Sequence, residues 1–207
     1  MPVWTISAEA GTCGAQVAAE LAAAAGVTLY DRKALALAAR AREPGVTDVD
    51  ELEARLSGGL GAAALSLAML TGLACAYEEL RLRNALPGLG VSVLAEVARG
   101  PAVIFTPGAF AALRDHTSVI HARLRAPFSS RVSWYQREHV VDRHAAEQAI
   151  KHDDHLKRAW VKTLYHVDVD DPRLFTLVVD TSRLPVCRVV DLLLAAGGVE
   201  QRAPVGY

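Results

Sequence analysis

A short run of small residues near the start of the chain has the spacing of a phosphate-binding turn. The apolar stretch Val3-Trp4-Thr5-Ile6 before it predicts a buried strand, and the alanine-rich residues 15–25 after it predict a helix. A turn of this kind presents unpaired backbone N–H groups at a helix N-terminus, where they attract anions. The residues expected to bind a phosphate are Gly11, Thr12, Cys13 and Gly14.

The turn departs from the common phosphate loop, G-x-x-x-x-G-K-[ST]. With Gly11 as its inner glycine, the second glycine falls on Cys13. The lysine position is then Gly14, and the position of the magnesium-binding hydroxyl is Ala15. A tight strand-to-helix turn that binds no ligand is therefore the alternative interpretation.

A second group of residues suited to phosphate chemistry lies between residues 121 and 166. This stretch holds nine Lys or Arg residues against five acidic ones, so it has the charge to supply contacts that the turn lacks. Arginine in particular grips phosphate with two parallel hydrogen bonds. The candidates are Arg123, Arg125, Arg131, Arg137, Lys157 and Arg158. The alternative is that these side chains form solvated helix faces and surface ion pairs.

Asp31 and Arg32 follow a second short strand predicted at residues 27–30. Asp31 has the chemistry to hold a magnesium-bound water or a nucleotide hydroxyl, and Arg32 to hold an acceptor phosphate. An ion pair that closes the strand-to-helix turn is the competing interpretation. No metal site is predicted, because His152 and His155 share a helix face without further ligands at suitable spacing.

The elements that must position these residues alternate between strand and helix. The remaining strands are predicted at residues 102–105, 117–124 and 175–179. The principal remaining helices are predicted at residues 127–137, 142–162 and 185–196. Strands this apolar need cover on both faces, so we expect an α/β fold with an open parallel sheet between helices. Ligands of such sheets bind beyond the carboxyl ends of the strands.

Composition limits the compartment and the partners. A chain of 207 residues fits one domain, and a net charge of −1 gives no reason to expect a nucleic acid or a membrane as partner. The three cysteines have long spacings, which favours thiols in a reducing compartment. The first residues lack the pattern of a signal peptide, so we expect a cytoplasmic protein.

One long segment, from Leu56 to Tyr77, contains no charged residue. It is long enough to span a bilayer. Its four glycines and many alanines favour close helix packing over contact with lipid. We expect a buried helix or helix pair, which could also form the face of a homodimer.

Four stretches of the chain, in order, match the motifs of one family. Residues 5–14 are similar to I-S-R-E-x-G-S-G-G, and residues 29–35 to F/Y-Y-D-R-E-L-I. Residues 126–132 are similar to A-P-x-x-x-R-V, and residues 168–182 to D-W-x-D-P-x-x-Y-D-L-x-I-N-T-S. Together they resemble the cytidylate kinase-like family, a branch of the P-loop nucleoside monophosphate kinases.

The resemblance implies a three-layer α/β/α domain over residues 1–199, with a five-stranded parallel sheet of the P-loop kinase type. It places a nucleoside monophosphate side at residues 31–99 and a helical lid-like segment at residues 125–165. A flexible tail is expected at residues 200–207.

The resemblance also implies roles for single residues. Asp31 and Arg131 would be catalytic, and Arg32 would bind the acceptor. The lid would contribute Arg137, Lys157 and Arg158. An active enzyme of this kind would use ATP and Mg²⁺, and its ligand would be a nucleotide or another small phosphorylated molecule.

Three positions depart from the family motifs, and two of these departures remove cations expected near phosphate. Ala8 stands where the family has arginine, Cys13 replaces a glycine, and Thr106-Pro107 replaces a G-R pair. Phosphoryl transfer depends on charge stabilisation, so these losses lower the expected activity. Three hypotheses follow: an ATP-dependent kinase of a nucleoside monophosphate or similar acceptor, a catalytically impaired nucleotide-binding or regulatory protein, and a homodimeric interaction module.

Overall fold

The computed structural model describes residues 2–31, Ala34 and residues 94–199. Its strands are β1 (Val3–Ala8), β2 (Thr28–Asp31), β3 (Ala102–Phe105), β4 (Val119–Arg125) and β5 (Leu177–Asp180). Its helices are α1 (Gly14–Ala25), α2 (Ala109–Ala112), α3 (Phe128–His139), α4 (Arg143–Tyr165) and α5 (Val186–Ala196), with a 3₁₀ turn at Pro172–Leu174.

The described strands form one parallel sheet in the order β2-β3-β1-β4-β5. Strand β1 lies at the centre, with Val3 paired to Ala102 of β3 and to Val119 of β4. Helices flank the sheet, which confirms the predicted α/β fold with a five-stranded parallel sheet. Because all strands run the same way, their carboxyl ends meet at one edge, where the turn after β1 lies.

One face of the sheet is apolar. Trp4, Ile6 and Ala8 of β1 point to this face and pack with residues of α1 and α5. The indole of Trp4 is fully buried, and its Nε1 donates a hydrogen bond to the Leu193 carbonyl at 2.8 Å. A buried Trp needs such an acceptor, so this bond fixes α5 against the centre of the sheet.

The other face carries polar residues along the middle and carboxyl half of the two central strands. Thr5 and His121 are paired in register and lie 2.7 Å apart from Oγ1 to Nδ1. Two residues further along, Arg123 Nη1 donates to Ser7 Oγ at 2.9 Å. Burial lowers the pKa of His121, and the nearby His116 adds to that effect against a contrary contribution from the Leu113 backbone. The imidazole is therefore neutral at pH 7.

Local signals set the helix ends. Asp142 Oδ1 accepts a hydrogen bond from the Ala145 N–H at 2.7 Å and so caps α4, close to the predicted start of a helix at residue 142. Helix α1 ends at Gly26, whose φ of 65° places it in the left-handed region. No helix in the described ranges is long and apolar enough to cross a membrane.

Several predictions concern residues outside the described ranges. These are Arg32, the uncharged residues 56–77 with their proposed dimer face, most of the nucleoside monophosphate side at residues 31–99, and the tail at residues 200–207.

Candidate functional site

The turn between β1 and α1 is held in shape by its own residues. The Thr12 hydroxyl donates to the Glu9 carbonyl at 2.6 Å. Gly11 has a φ of 76°, and a Cβ there would lie 2.6 Å from the Arg131 carbonyl of α3. A Cβ on Gly14 would lie 2.4 Å from the Ala8 Cβ. Both glycines are thus required by close approach, and Gly11 also by its backbone angle.

The first amides of the turn already have partners within the protein. The Glu9 N–H donates to the Leu124 carbonyl at 3.1 Å, and the Ala10 N–H donates to Asp154 Oδ1 at 3.2 Å. The remaining N–H groups of the turn lie further along, at the N-terminus of α1. That helix has no side-chain cap and no acidic residue in its first turn, so its first N–H groups and its dipole favour negative charge.

Cys13 occupies the cap position of α1 in the left-handed conformation, with a φ of 57°. Burial raises the pKa of its thiol, the charge of Glu138 raises it further, and Arg137 acts in the opposite direction. The thiol is therefore protonated at neutral pH, and Cys13 contributes its backbone to the turn rather than a reactive thiolate.

The Glu9 side chain, only 4% exposed, lies in a cradle of hydrogen-bond donors. Its carboxylate accepts from the Ala126 N–H at 3.2 Å and from Arg125 Nε at 3.3 Å. Arg131 Nε lies 3.6 Å and Arg123 Nη2 lies 3.8 Å from it. One backbone amide and three guanidinium groups thus surround a single buried carboxylate.

Arg131, predicted to be catalytic, lies beside the turn but is engaged by the protein itself. Its Nη1 contacts Asp154 Oδ2 at 2.6 Å and donates to the Ala10 carbonyl at 3.2 Å. The side chain is buried, and its Nε has no hydrogen-bond partner. Arg131 therefore ties α3 to the turn and to α4.

Asp170, in the segment before β5, contacts two arginine side chains. It accepts from Arg123 Nη2 at 3.2 Å and from Arg158 Nε at 3.0 Å. Burial opposes ionisation of Asp170, but the hydrogen bond from Arg158 and the neighbouring arginine charges outweigh it and hold the pKa of Asp170 below its ordinary value. For Arg123, burial dominates and lowers the pKa, against the charges of Glu9 and Asp170.

These side chains form one arginine–carboxylate cluster at the carboxyl edge of the sheet. Its members are Glu9, Arg123, Arg125, Arg131, Asp154, Arg158 and Asp170. Four guanidinium groups meet three carboxylates, which leaves one net positive charge. The side chains of Arg125 and Arg158 are 47% and 49% exposed, so that charge is accessible from solvent.

Three other predicted site residues, Lys157, Arg137 and Asp31, are not members of this cluster. Lys157 Nζ donates to the Ala8 carbonyl at 3.3 Å and pairs with Asp153 at 2.6 Å, which places an ammonium group at the start of the turn. Arg137 is exposed and donates to the Ser133 carbonyl one turn earlier in α3. Asp31 Oδ1 accepts from the Ala34 N–H at 2.8 Å, as a helix-capping carboxylate does.

The carboxylate and hydroxyl oxygens around the turn do not suit Mg²⁺ as ligands. The carboxylates of the cluster are each held by at least one arginine, and the Thr12 hydroxyl is directed at the Glu9 carbonyl. In the described parts of the chain, no group of three or more His, Cys, Asp or Glu residues could hold a metal ion.

Comparison with known families decides where this site belongs. The sequence matches the profile of the Cytidylate kinase-like family over residues 3–183. The chain belongs to the cytidylate kinase-like family. No curated protein matches it.

Solved structures support the fold of this cytidylate kinase-like protein. An uncharacterized protein from Eubacterium ventriosum ATCC 27560 has a TM-score of 0.69 at 16% identity, over 96% of this chain and 99% of that one. A shikimate kinase from Bacteroides thetaiotaomicron gives 0.52 at 13% identity, over 94% and 97%. A gluconokinase from Sinorhizobium meliloti 1021 gives 0.50 at 14% identity, over 95% and 91%. These likenesses establish a P-loop kinase fold.

The end of β3, where the family resemblance predicts a G-R pair, is covered by α4 in this member. A Cβ on Gly108 would lie 2.5 Å from both Trp160 and Tyr165, whose rings are 5.8 Å apart and arranged edge to face. Burial raises the pKa of Tyr165 to about 12. These aromatic rings of α4 therefore pack directly against the backbone that follows Thr106-Pro107.

Sequence reasoning missed the carboxylates that organise the site, namely Glu9, Asp154 and Asp170. Glu9 was visible as an acidic residue directly after an apolar strand. The alternation of His121, Arg123 and Arg125 along β4 was a second signal, because residues two apart in a strand share a face.

Proposed function

We propose that this cytidylate kinase-like protein binds a nucleotide without transferring its phosphoryl group efficiently. One observation carries the proposal: the arginines at the carboxyl edge of the sheet are already paired with internal carboxylates, while the N-terminus of α1 has no side-chain cap. The turn thus retains a place for an anion but has no cation of its own to act on it.

The loss of chemistry follows from the number and state of the positive groups. Phosphoryl transfer needs fixed cations that stabilise the charge spreading over the transferred group. Here the lysine position of a phosphate loop is Gly14, and Arg131 is buried between Glu9 and Asp154. Each missing transition-state contact costs about 3–4 kcal/mol in comparable sites, so two or three losses reduce the rate severely.

The retained binding follows from the electrostatics of the same edge. The uncapped N-terminus of α1 favours an anion, and the arginine–carboxylate cluster keeps one net positive charge. Arg125 and Arg158 are half-exposed, so their guanidinium groups are within reach of a phosphate from solvent. A nucleotide or another small phosphorylated molecule is the ligand class that this arrangement suits.

Phosphoryl transfer is the second candidate, and Lys157 favours it. Its ammonium group lies 3.3 Å from the Ala8 carbonyl at the start of the turn. A lysine supplied by α4 could replace the cation that the turn lacks. In that case the protein would require ATP and Mg²⁺, with the metal held largely by the phosphates because the part of the chain that the structure describes offers no ligand set of its own. The homodimeric module stays a prediction that rests on residues 56–77.

Two substitutions on α1 test the binding proposal. Ala15→Glu places a carboxylate in the first turn of α1, where it stabilises the helix but repels a phosphate. Ala19→Glu adds the same charge one turn later, at a position that is also exposed. We expect ATP and ADP to raise the Tm of the wild type and of Ala19→Glu, but not of Ala15→Glu.

The competing outcomes are distinct in the same experiment. An equal rise in Tm for all three proteins would place the nucleotide away from α1, and no rise for any would contradict binding. Release of ADP in the presence of a nucleoside monophosphate, abolished by Lys157→Met, would favour the second candidate.

A further inference from the structure

The cradle around Glu9 has the composition of an anion-binding site. It consists of the Ala126 N–H and the guanidinium groups of Arg125, Arg131 and Arg123, at 3.2 to 3.8 Å from the carboxylate. Arginine forks and backbone amides are also the groups that proteins use to bind phosphate. The occupant here is a carboxylate of the chain itself.

We propose that Glu9 is an internal anion that competes with the phosphates of a bound ligand for these arginines, and so determines how tightly the protein binds a polyphosphate group. This inference rests on the proposed function, because it concerns the ligand of the same turn. The ligand is a di- or triphosphate chain, and Glu9 limits the affinity of the protein for it.

The hydrogen-bonding capacity of the cradle exceeds what Glu9 uses. Arg123 Nε and Arg131 Nε are buried and have no hydrogen-bond partner. A carboxylate offers two oxygens, whereas a terminal phosphate offers three and carries more charge. A phosphate in this place would offer an acceptor to Arg131 Nε, which lies 3.6 Å from the Glu9 carboxylate and is left unpaired by it.

The cradle is connected to solvent and to the turn. Glu9 is the first residue after β1, and the predicted anion position at the start of α1 follows within the same turn. Arg125 is half-exposed although the carboxylate it contacts is buried, so its guanidinium faces both the cradle and the solvent. A phosphate chain bound at α1 could therefore extend to Arg125.

The other two carboxylates of the cluster have different roles. Asp154 also accepts from the Ala10 N–H and so holds the backbone of the turn. Asp170 lies between Arg123 and Arg158 on the side of β5. Removal of Glu9 alone would raise the net charge of the cluster by one while these two supports stay in place.

The test is the affinity of three proteins for tripolyphosphate and for ATP by isothermal titration calorimetry at constant ionic strength. Glu9→Gln removes the internal anion. Glu147→Gln changes the net charge equally but only breaks an ion pair with Arg143 elsewhere on α4. We expect Glu9→Gln to bind both ligands at least about tenfold more tightly than the wild type, and Glu147→Gln to bind within about twofold of it.

The affinities of the three proteins separate the role of Glu9 from the proposed function. If the wild type binds and Glu9→Gln binds equally or more weakly, the role of Glu9 is overturned and the proposed function stands. If only Glu9→Gln binds, the role of Glu9 holds and the proposed function fails for the natural chain. If no protein binds, both are overturned.

Glu9→Gln leaves buried arginines with fewer partners and could unfold the protein. Circular dichroism with and without tripolyphosphate measures whether the variant is folded. We expect the anion to restore the native spectrum, because it takes the place of the missing carboxylate. An unfolded variant that stays unfolded at millimolar tripolyphosphate would contradict the inference.

Discussion

At the scale of single residues, the site is organised by carboxylates that bring arginines together. Glu9 alone lies within 3.8 Å of three guanidinium groups. Proteins bury a charged group only when it has partners, because an unpaired buried charge is strongly destabilising. The arrangement therefore gives the carboxyl edge of the sheet a fixed structure before any ligand arrives.

Arg131 connects three parts of this structure. It links α3 to the turn through the Ala10 carbonyl and to α4 through Asp154. We expect Arg131→Met to lower the free energy of unfolding by about 3–5 kcal/mol, because it leaves the buried carboxylates of Glu9 and Asp154 short of a partner. Urea denaturation followed by circular dichroism measures this loss.

Arg143→Met provides the control for that measurement. Arg143 is an exposed residue that pairs with Glu147 one turn later, so its removal should cost less than about 0.5 kcal/mol. Equal losses for both variants would mean that Arg131 contributes no more than a surface ion pair.

At the scale of elements, α4 contacts the edge of the sheet at several places. Asp154 and Lys157 contact the turn and the residue before it, and Arg158 contacts Asp170 of the same cluster. Two more, Trp160 and Tyr165, cover the end of β3 at Gly108. One helix thus holds both the polar cluster and the aromatic cover in a single arrangement.

Gly108 tests how tightly α4 packs. Its φ of −115° suits any residue, so only the space decides what the position tolerates. A Cβ would lie 2.5 Å from two aromatic rings. We expect Gly108→Ala to lower the free energy of unfolding by about 1–3 kcal/mol through overpacking, measured by urea denaturation.

The matched substitution is Gly100→Ala, because a Cβ on Gly100 meets nothing within 4 Å. Its free energy of unfolding should stay within about 1 kcal/mol of the wild type. A Gly108→Ala variant as stable as Gly100→Ala would show that α4 moves away from the sheet at little cost.

The element boundaries were largely predictable because local signals set them. The apolar run at β3 and the Asp142 cap of α4 correspond directly to the observed elements. The arginine–carboxylate cluster was harder to predict from the sequence, because it depends on the strand order. Glu9 meets Arg123 and Arg125 only because β4 pairs directly with β1, and a parallel pairing between strands 116 residues apart leaves no local pattern.

At the scale of the whole molecule, the two faces of the sheet have different roles. The face with Trp4 and Ile6 packs against α1 and α5 and supplies an apolar core. The opposite face carries Thr5, Ser7 and their partners on β4. A P-loop kinase fold is thereby retained, while the polar face ends in a network of internal ion pairs at the edge where such folds bind their ligands.

The most direct measurement is a ³¹P NMR spectrum of ATP, Mg²⁺ and a nucleoside monophosphate such as CMP, recorded over time with the wild-type protein. We expect the ATP resonances to broaden or shift on addition of protein, while the ADP resonances stay at the level of a protein-free sample. Growth of ADP and nucleoside diphosphate signals would contradict the loss of phosphoryl transfer. ATP resonances unchanged by the protein would contradict nucleotide binding itself.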